Sequence, residues 1–102
     1  IALLPELLEL AERYDALLIV DDAHATGVIG EGRGTAHHFH CENPRIIITG
    51  TMSKALGSIG GYVCGSQTII DYIINHSRPF IFATALSPAD IGASIGALEV
   101  LA

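Results

Sequence analysis

Two apolar runs, each followed at once by polar and reactive side chains, constrain the fold more than any other feature of this sequence. The first run spans 17–20 and ends at Asp21, and the second spans 46–48 and ends at Thr49. Short runs rich in branched residues are typical of strands buried on both faces of a parallel sheet. In open α/β sheets, ligands bind beyond the carboxyl ends of the strands. The sequence therefore predicts a site to which both strand ends contribute.

The segments around these runs indicate helices that alternate with strands. Apolar residues recur at helical spacing after Pro5, which suits a first helical turn, and this helix leads directly into the first strand. The expected fold is α/β, with a mainly parallel central sheet flanked by helices. The predicted helices are 5–16, 66–77, one beginning at Ser87 and a short helix or turn at 35–41, and the predicted strands are 17–21, 46–49, 62–64 and 80–82.

Two of these helices carry apolar stripes that we expect to be buried. Ser66 and Ser87 are suited to cap them, and Pro88 and Asp90 favour the first turn of the second. The expected buried positions are Ile69, Ile70, Ile73 and Ile74 in the first, and Ile91, Ile95, Leu98 and Leu101 in the second.

The composition is that of the interior of a larger domain. The chain has 102 residues, of which 50% are hydrophobic and 16% are charged. It begins at Ile1 without an initiator methionine and stops inside an apparent helix. We therefore expect residues 1–102 to be part of a larger α/β protein, with flanking sequence missing at both ends.

The charge, the apolar runs and the cysteine content bear on which partners and which cellular setting are expected. A net charge of −6 with five Lys and Arg residues gives no basic stripe, which disfavours nucleic-acid binding. Charged residues and glycines interrupt the apolar runs well before the ~20 residues that a membrane span needs. Two cysteines form no disulfide framework and no signal-peptide pattern opens the chain, so a cytoplasmic setting is expected.

The polar groups after the two strands match the needs of one cofactor, pyridoxal phosphate. It requires a lysine for a Schiff base, a carboxylate opposite its pyridine nitrogen and hydrogen-bond donors around its phosphate. Lys54, Asp21 and Thr51 could supply these groups. Each also has a plain structural interpretation. Lys54 could be a surface-loop lysine, Asp21 an acid that ends a strand, and Thr51 a β-branched residue at a strand end.

The segments that carry these residues resemble the α-oxoamine synthases, and the resemblance covers nearly the whole chain in order. These are fold-type I pyridoxal-phosphate enzymes that condense an amino acid with an acyl thioester and release carbon dioxide. The resemblance implies part of the large, cofactor-binding domain of an aspartate aminotransferase-like fold. The matching motifs are Asp-Asp-Ala-His-Ala-Thr-Gly-Val-Ile-Gly at 21–30, Gly-Arg-Gly at 32–34 and Thr-Gly-Thr-Met-Ser-Lys-Ala-Leu-Gly at 49–57.

The resemblance assigns catalytic roles to three residues. The lysine that matches Lys54 binds the cofactor and later moves the substrate's α-proton. The acid that matches Asp21 pairs with the pyridine nitrogen, whereas Asp22 is left as a loop-structuring residue or a hydrogen-bond partner. The imidazole that matches His24 hydrogen-bonds near the cofactor's phenolic oxygen, and its ordinary pKa suits proton transfer. A loop histidine without such a role is the alternative.

The resemblance also implies phosphate contacts and a second subunit. Thr51 matches a phosphate contact, and Ser53 is a further candidate. Thr84 matches a hydroxyl that reaches the phosphate of the neighbouring subunit, which implies a homodimer with composite active sites. Many relatives have small polar residues on both sides of that hydroxyl, where this chain has alanines.

Other interpretations remain open from the sequence. Residues 22–34 could be an ordinary long loop rather than a site-forming one. A metal-binding domain could use Asp21, Asp22, His24 and the cluster at 37–41, although surface histidines explain that cluster as well. The lysine segment lacks the spacing of a nucleotide-binding P-loop. Finally, the piece could be structural only, and on its own we expect it to show no turnover.

Overall fold

The computed structural model describes residues 1–102 and has helices and a small sheet in alternation. It confirms the α/β class. The elements in chain order are α1 (Leu4–Arg13), β1 (Leu18–Asp21), α2 (Thr35–His38), β2 (Ile46–Thr51), β3 (Gly61–Cys64), α3 (Gln67–His76), α4 (Arg78–Ile81) and α5 (Pro88–Leu101).

The sheet has three strands in the order β1-β2-β3, and β2 lies in the centre. β1 and β2 are parallel, and the segment that contains α2 connects them. β2 and β3 are antiparallel, so the sheet in this chain is mixed rather than mainly parallel. The reason is the length of the connection, because residues 52–60 can turn the chain back but cannot carry it across the sheet as a parallel crossover requires.

The core lies on one face of the sheet, beneath α1 and α2. Leu4 of α1 is 1% exposed and packs in one cluster with Ala36 of α2 and Ile46 of β2. Leu18 and Val20 of β1 pack against the same cluster, so Ile19 and Asp21 point to the other face because side chains alternate along a strand. This alternation delivers the first predicted site residue to the face opposite the core.

The strand predicted at 80–82 does not form: Phe80 and Ile81 are in the short helix α4 and Phe82 is its C-cap, so that prediction is wrong. Proline lies in the first turn of α4, where its fixed φ favours helix initiation. The amides of Phe80 and Ile81 both donate to the carbonyl of Ser77, at 3.0 and 2.9 Å. Local hydrogen bonds satisfy this backbone, and the segment does not pair with the sheet.

The caps of α5 form as expected, but its apolar face is not buried in this chain. The hydroxyl of Ser87 accepts a hydrogen bond from the amide of Asp90 at 3.2 Å. Ile91 is 44% exposed and Ile95 53% exposed, whereas the small Ser94 is the buried residue of α5. In α3, Ser66 stands at the N-cap position but its side chain accepts no capping hydrogen bond. The apolar stripe of α3 is not fully buried either, since Ile69, Ile70 and Ile73 are half-buried and Ile74 is exposed. None of the helices combines the length and the apolar character that crossing a bilayer would take.

Candidate active site

The ends of the two parallel strands lie side by side. Asp21, the last residue of β1, is in register with Thr49 of β2. Residues in register on neighbouring strands project to the same face, and Thr51 follows two positions later on that face. The sheet therefore presents one carboxylate and two hydroxyls together, on the face opposite the core.

Asp21 is exposed and only partly engaged. Its Oδ1 accepts a hydrogen bond from the amide of Ala23 at 3.0 Å, which holds the carboxylate at the start of the following loop. The two ion pairs of the structure join other residues, so neither Asp21 nor Lys54 is neutralised by a partner within the chain. Both charges remain available to a ligand.

Lys54 lies in a tightly hydrogen-bonded loop between β2 and β3, which we call the lysine loop (residues 52–60). The amide of Met52 donates to the carbonyl of Gly60 at 2.9 Å, and the amide of Ser58 donates to the carbonyl of Met52 at 2.8 Å. The amide of Gly57 donates to the carbonyl of Lys54 at 3.0 Å, and Gly57 has a φ of +63° that glycine adopts at little cost. The backbone of Lys54 is thus fixed while its side chain is exposed.

The hydroxyl of Thr51 fastens the base of the lysine loop. It donates to the carbonyl of Gly60 at 3.0 Å and accepts from the amide of Ser53 at 3.1 Å. The hydroxyl of Ser53 lies 2.7 Å from that of Thr51. Because Thr51 has a single hydroxyl proton and gives it to Gly60, the Ser53 hydroxyl is the donor between the two.

A second loop, residues 22–34, carries His24 and lies against the lysine loop. We call it the histidine loop. His24 is exposed and lines the same cavity as Asp21, between β1 and the N-terminal part of the chain. Lys54 does not line that cavity. The two loops meet where Gly27 approaches Ala55, the residue that follows Lys54. The approach is so close that a Cβ atom added to Gly27 would lie 2.6 Å from the Cβ of Ala55.

Thr84 is the predicted site residue that the structure leaves apart from the others. It is exposed in the segment between α4 and α5. Its neighbour Leu86 packs at the end of the lysine loop, where a Cβ atom on Gly60 would lie 2.8 Å from Leu86 Cδ1. The structure thus brings together Asp21, the Thr51–Ser53 pair and the two loops, whereas Thr84 lies in an exposed segment that meets the lysine loop through Leu86.

Sequence reasoning missed Tyr62 as a residue that joins these parts. Its hydroxyl forms a short hydrogen bond with that of Thr26 in the histidine loop. Its ring lies over Gly50, where a Cβ atom would overlap it. The register that places Tyr62 opposite Gly50 in the β2–β3 ladder is the signal that could have found it, because a bulky residue often covers a strand glycine.

The metal-binding alternative gains no geometric support. No three His, Cys, Asp or Glu side chains of the chain are grouped so that they could hold a metal ion. His37 instead lies 3.7 Å from the carboxylate of Glu31, and its ring meets that of His40 edge-on.

Comparison with known proteins decides the family. The aminotransferase class I and II family matches residues 1–101. The chain belongs to this family. Among its curated relatives are 8-amino-7-oxononanoate synthase from Thermoanaerobacter pseudethanolicus and 8-amino-7-oxononanoate synthase 1 from Bacillus subtilis. Each is 52% identical over 102 residues, which is 99% of this chain and 26% of the relative. The chain therefore spans about a quarter of the length of the curated relatives it matches.

Solved structures with the same fold include one with pyridoxal phosphate bound. Serine palmitoyltransferase from S. paucimobilis, with pyridoxal phosphate and myriocin bound, has a TM-score of 0.90 and 30% identity over 99% of this chain and 26% of its own. 8-Amino-7-oxononanoate synthase from Francisella tularensis has a TM-score of 0.77 and 35% identity over 94% of this chain and 29% of its own. The predicted family, fold and cofactor are confirmed by these comparisons.

The side chains of this aminotransferase-family chain fit that cofactor chemically. An exposed carboxylate without an ionic partner, a lysine on a fixed backbone and a pair of hydroxyls lie at adjacent strand ends. The carboxylate suits a protonated pyridine nitrogen, the lysine suits an aldehyde and the hydroxyls suit a phosphate.

Proposed function

We propose that the chain forms part of the active site of a pyridoxal-phosphate-dependent acyltransferase. The reaction joins an amino acid to an acyl thioester and releases carbon dioxide. The observation that carries the proposal is the placement of Asp21 and the lysine loop at neighbouring strand ends, with both charges free of partners inside the chain. The names of the relatives at 52% identity support the same reaction.

Lys54 is the nucleophile and the proton carrier of this proposal. Bound pyridoxal phosphate supplies an electron sink for the negative charge that develops at the substrate's α-carbon. The amine of Lys54 would hold the cofactor and, once free, would take the proton from the substrate's α-carbon. The hydrogen bonds of the lysine loop fix the backbone from which this side chain reaches, so that its flexible stem is the part that moves.

Asp21 keeps a proton on the pyridine nitrogen. A carboxylate facing that nitrogen favours its protonated form, and the attraction is stronger where water is excluded. The Ala23 amide binds one carboxylate oxygen, so the carboxylate is oriented before any ligand arrives. His24, three residues along and lining the same cavity as Asp21, would hydrogen-bond to the cofactor and help to place the substrate.

Thr51, Ser53 and Thr84 are proposed as phosphate contacts. Thr51 and Ser53 already form one hydrogen-bonded pair at the end of β2, which two phosphate oxygens could approach together. For Thr51 to donate to a phosphate, its hydroxyl must leave the carbonyl of Gly60, whereas Ser53 needs only to turn away from Thr51. Thr84 is proposed to contribute from one subunit of a homodimer to the site of the other.

Among the reactions of this kind, we propose the one catalysed by 8-amino-7-oxononanoate synthase in biotin biosynthesis. L-alanine would be the amino acid, and pimeloyl-CoA or the pimeloyl acyl-carrier protein would be the thioester. The segment 75–85 resembles that enzyme most, and the relatives at 52% identity carry its name. We place the protein in the cytoplasm, without nucleic-acid or membrane partners.

The second candidate is another α-oxoamine synthase reaction. Glycine C-acetyltransferase is the first alternative, followed by serine palmitoyltransferase and 5-aminolevulinate synthase. The serine palmitoyltransferase structures match this fold at TM-scores of 0.89 and 0.90, so the fold alone does not separate these activities.

The test uses the full-length protein loaded with pyridoxal phosphate. Alanine, glycine and serine are added in turn, and the visible absorbance band of the lysine-bound cofactor is followed. Alanine is expected to change the band at the lowest concentration, and carbon dioxide is then released on addition of a pimeloyl thioester. Preference for glycine or serine would move the assignment to one of the alternatives. A band that persists in Lys54→Ala would contradict the proposed nucleophile.

A further inference from the structure

Asp22 differs from the adjacent Asp21 in its burial and in how far along the chain its hydrogen-bond partner lies. Asp22 is 1% exposed and is one of the two largest fully buried side chains, the other being Leu4. A buried carboxylate is costly unless hydrogen bonds compensate for the loss of water, so its partners indicate its purpose.

The side chain of Asp22 closes the histidine loop on itself. Its Oδ2 accepts a hydrogen bond from the amide of Thr35 at 2.8 Å, and Thr35 is the first residue of α2. The bond joins the start of the loop to the residue that follows its end. Oδ1 accepts no hydrogen bond from the chain. Thr35 is therefore the side chain's single hydrogen-bond partner.

The backbone of Asp22 ties the same point to the sheet. Its amide donates to the carbonyl of Thr49 at 2.8 Å, one residue beyond the last register pair of β1 and β2. Its carbonyl accepts from the amides of Ala25 and Thr26, at 2.9 and 3.0 Å, which folds the stretch around His24 into a turn. One residue thus joins β2, the turn that carries His24 and the N-terminus of α2.

The absence of a side chain at Gly34 leaves room for the carboxylate of Asp22. Gly34 has a φ of +92°, and a Cβ atom there would overlap Asp22 Oδ2. Only glycine satisfies both conditions without strain. The carboxylate is therefore packed directly against the backbone that returns from the histidine loop.

We propose that Asp22 is a positioning residue, whose hydrogen bond to the amide of Thr35 sets where Asp21 and His24 stand relative to the lysine loop. The proposal rests on the proposed function, since the two positioned residues are those assigned to the cofactor. The link to the lysine loop is the contact of Gly27 with Ala55, which transmits any shift of the histidine loop to the neighbour of Lys54. Displacements of about 1 Å at such distances can cost on the order of 100-fold in rate.

The decisive variants remove the hydrogen bond from either side. Asp22→Ala deletes the acceptor. Thr35→Pro deletes the donor at the first position of a helix, where proline is tolerated. Asp22→Asn keeps an oxygen that can accept from Thr35 and serves as the conservative variant. Asp71→Ala, which removes an exposed acid from α3, is the control.

The measurements are made on the full-length protein loaded with pyridoxal phosphate, well below its melting temperature. We expect Asp22→Ala and Thr35→Pro to lower kcat about 10- to 100-fold with KM nearly unchanged. We also expect both to change the visible circular dichroism of the cofactor per mole bound. Asp22→Asn should restore most of kcat and the wild-type dichroism, and Asp71→Ala should match the wild type.

A purely structural role would lower the melting temperature and the amount of cofactor bound, but not the dichroism per mole or the kcat of the loaded fraction. That result would overturn the proposal. So would a failure of both Asp22→Ala and Thr35→Pro to fold, or an Asp22→Asn variant as impaired as Asp22→Ala, because the charge rather than the hydrogen bond would then matter. A wild-type protein without a Lys54-dependent cofactor band would instead contradict the proposed function.

Discussion

Gly27 and Ala55 touch where the two loops of the candidate site meet. A Cβ atom on Gly27 would lie 2.6 Å from the Cβ of Ala55, and Gly27 has a φ of +80°. Ala55 is adjacent to Lys54 in the chain, and Gly27 follows His24 by three residues. The relative position of the histidine and the lysine therefore depends on a contact that admits no additional atom.

The first prediction concerns this contact. Gly27→Ala should lower the free energy of unfolding of the full-length protein by about 1–3 kcal/mol, because the added methyl meets Ala55 and the backbone is left-handed. It should also weaken cofactor binding, as measured by the concentration of pyridoxal phosphate needed for half-saturation of the visible band.

Gly92→Ala is the matched control for this substitution. Gly92 lies in α5, where a Cβ atom would meet no heavy atom within 4 Å. Alanine there should stabilise the protein by about 0.5–1 kcal/mol through helix propensity. Equal effects of the two substitutions would show that the loop contact has no special role.

The second prediction concerns Thr51. Thr51→Val removes the hydroxyl that bonds Gly60 and Ser53, at about 0.5–1.5 kcal/mol for each hydrogen bond lost. The affinity for pyridoxal phosphate should fall about tenfold or more, since 1.4 kcal/mol corresponds to a factor of ten. Thr51→Ser keeps the hydroxyl and should bind the cofactor nearly as the wild type does. Comparable affinities of the Val and Ser variants would contradict the role of the hydroxyl.

The third prediction separates the two contacts of Tyr62. Tyr62→Phe loses the hydrogen bond to Thr26 and should cost about 0.5–1.5 kcal/mol of stability. Gly50→Ala places a methyl against the ring and should cost about 1–3 kcal/mol or more. Thermal or denaturant unfolding of the full-length variants gives both values. If Tyr62→Phe lowered the stability more than Gly50→Ala, the hydroxyl of Tyr62 would matter more than the packing of its ring, contrary to this prediction.

The strands of the fold could be predicted from the sequence because their signal is local. The apolar runs before Asp21 and Thr49 marked β1 and β2, and the strand ends marked the site. The segment at 80–82 misled the prediction because its aromatic and branched residues suit a strand, while Ser77 and the proline at 79 start a helix. Burial of α5 could not be judged from its apolar spacing, because spacing identifies a face but not whether anything covers it.

The part of the site that sequence reasoning could not resolve depends on contacts between distant residues. Asp21 and Asp22 are adjacent and chemically identical, yet one is exposed and the other buried. The difference arises because the chain returns at Gly34 and Thr35 to enclose Asp22. No local pattern indicates that return. The roles of Asp21, Lys54, His24, Thr51, Ser53 and Thr84 stay predictions.

The most direct test of the central claim is a crystal structure of the full-length protein grown with pyridoxal phosphate. The account predicts continuous density from the Nζ of Lys54 to the cofactor, and a carboxylate oxygen of Asp21 about 2.7–2.9 Å from the pyridine nitrogen. A cofactor bound elsewhere, or a ring nitrogen that faces a residue other than Asp21, would contradict it.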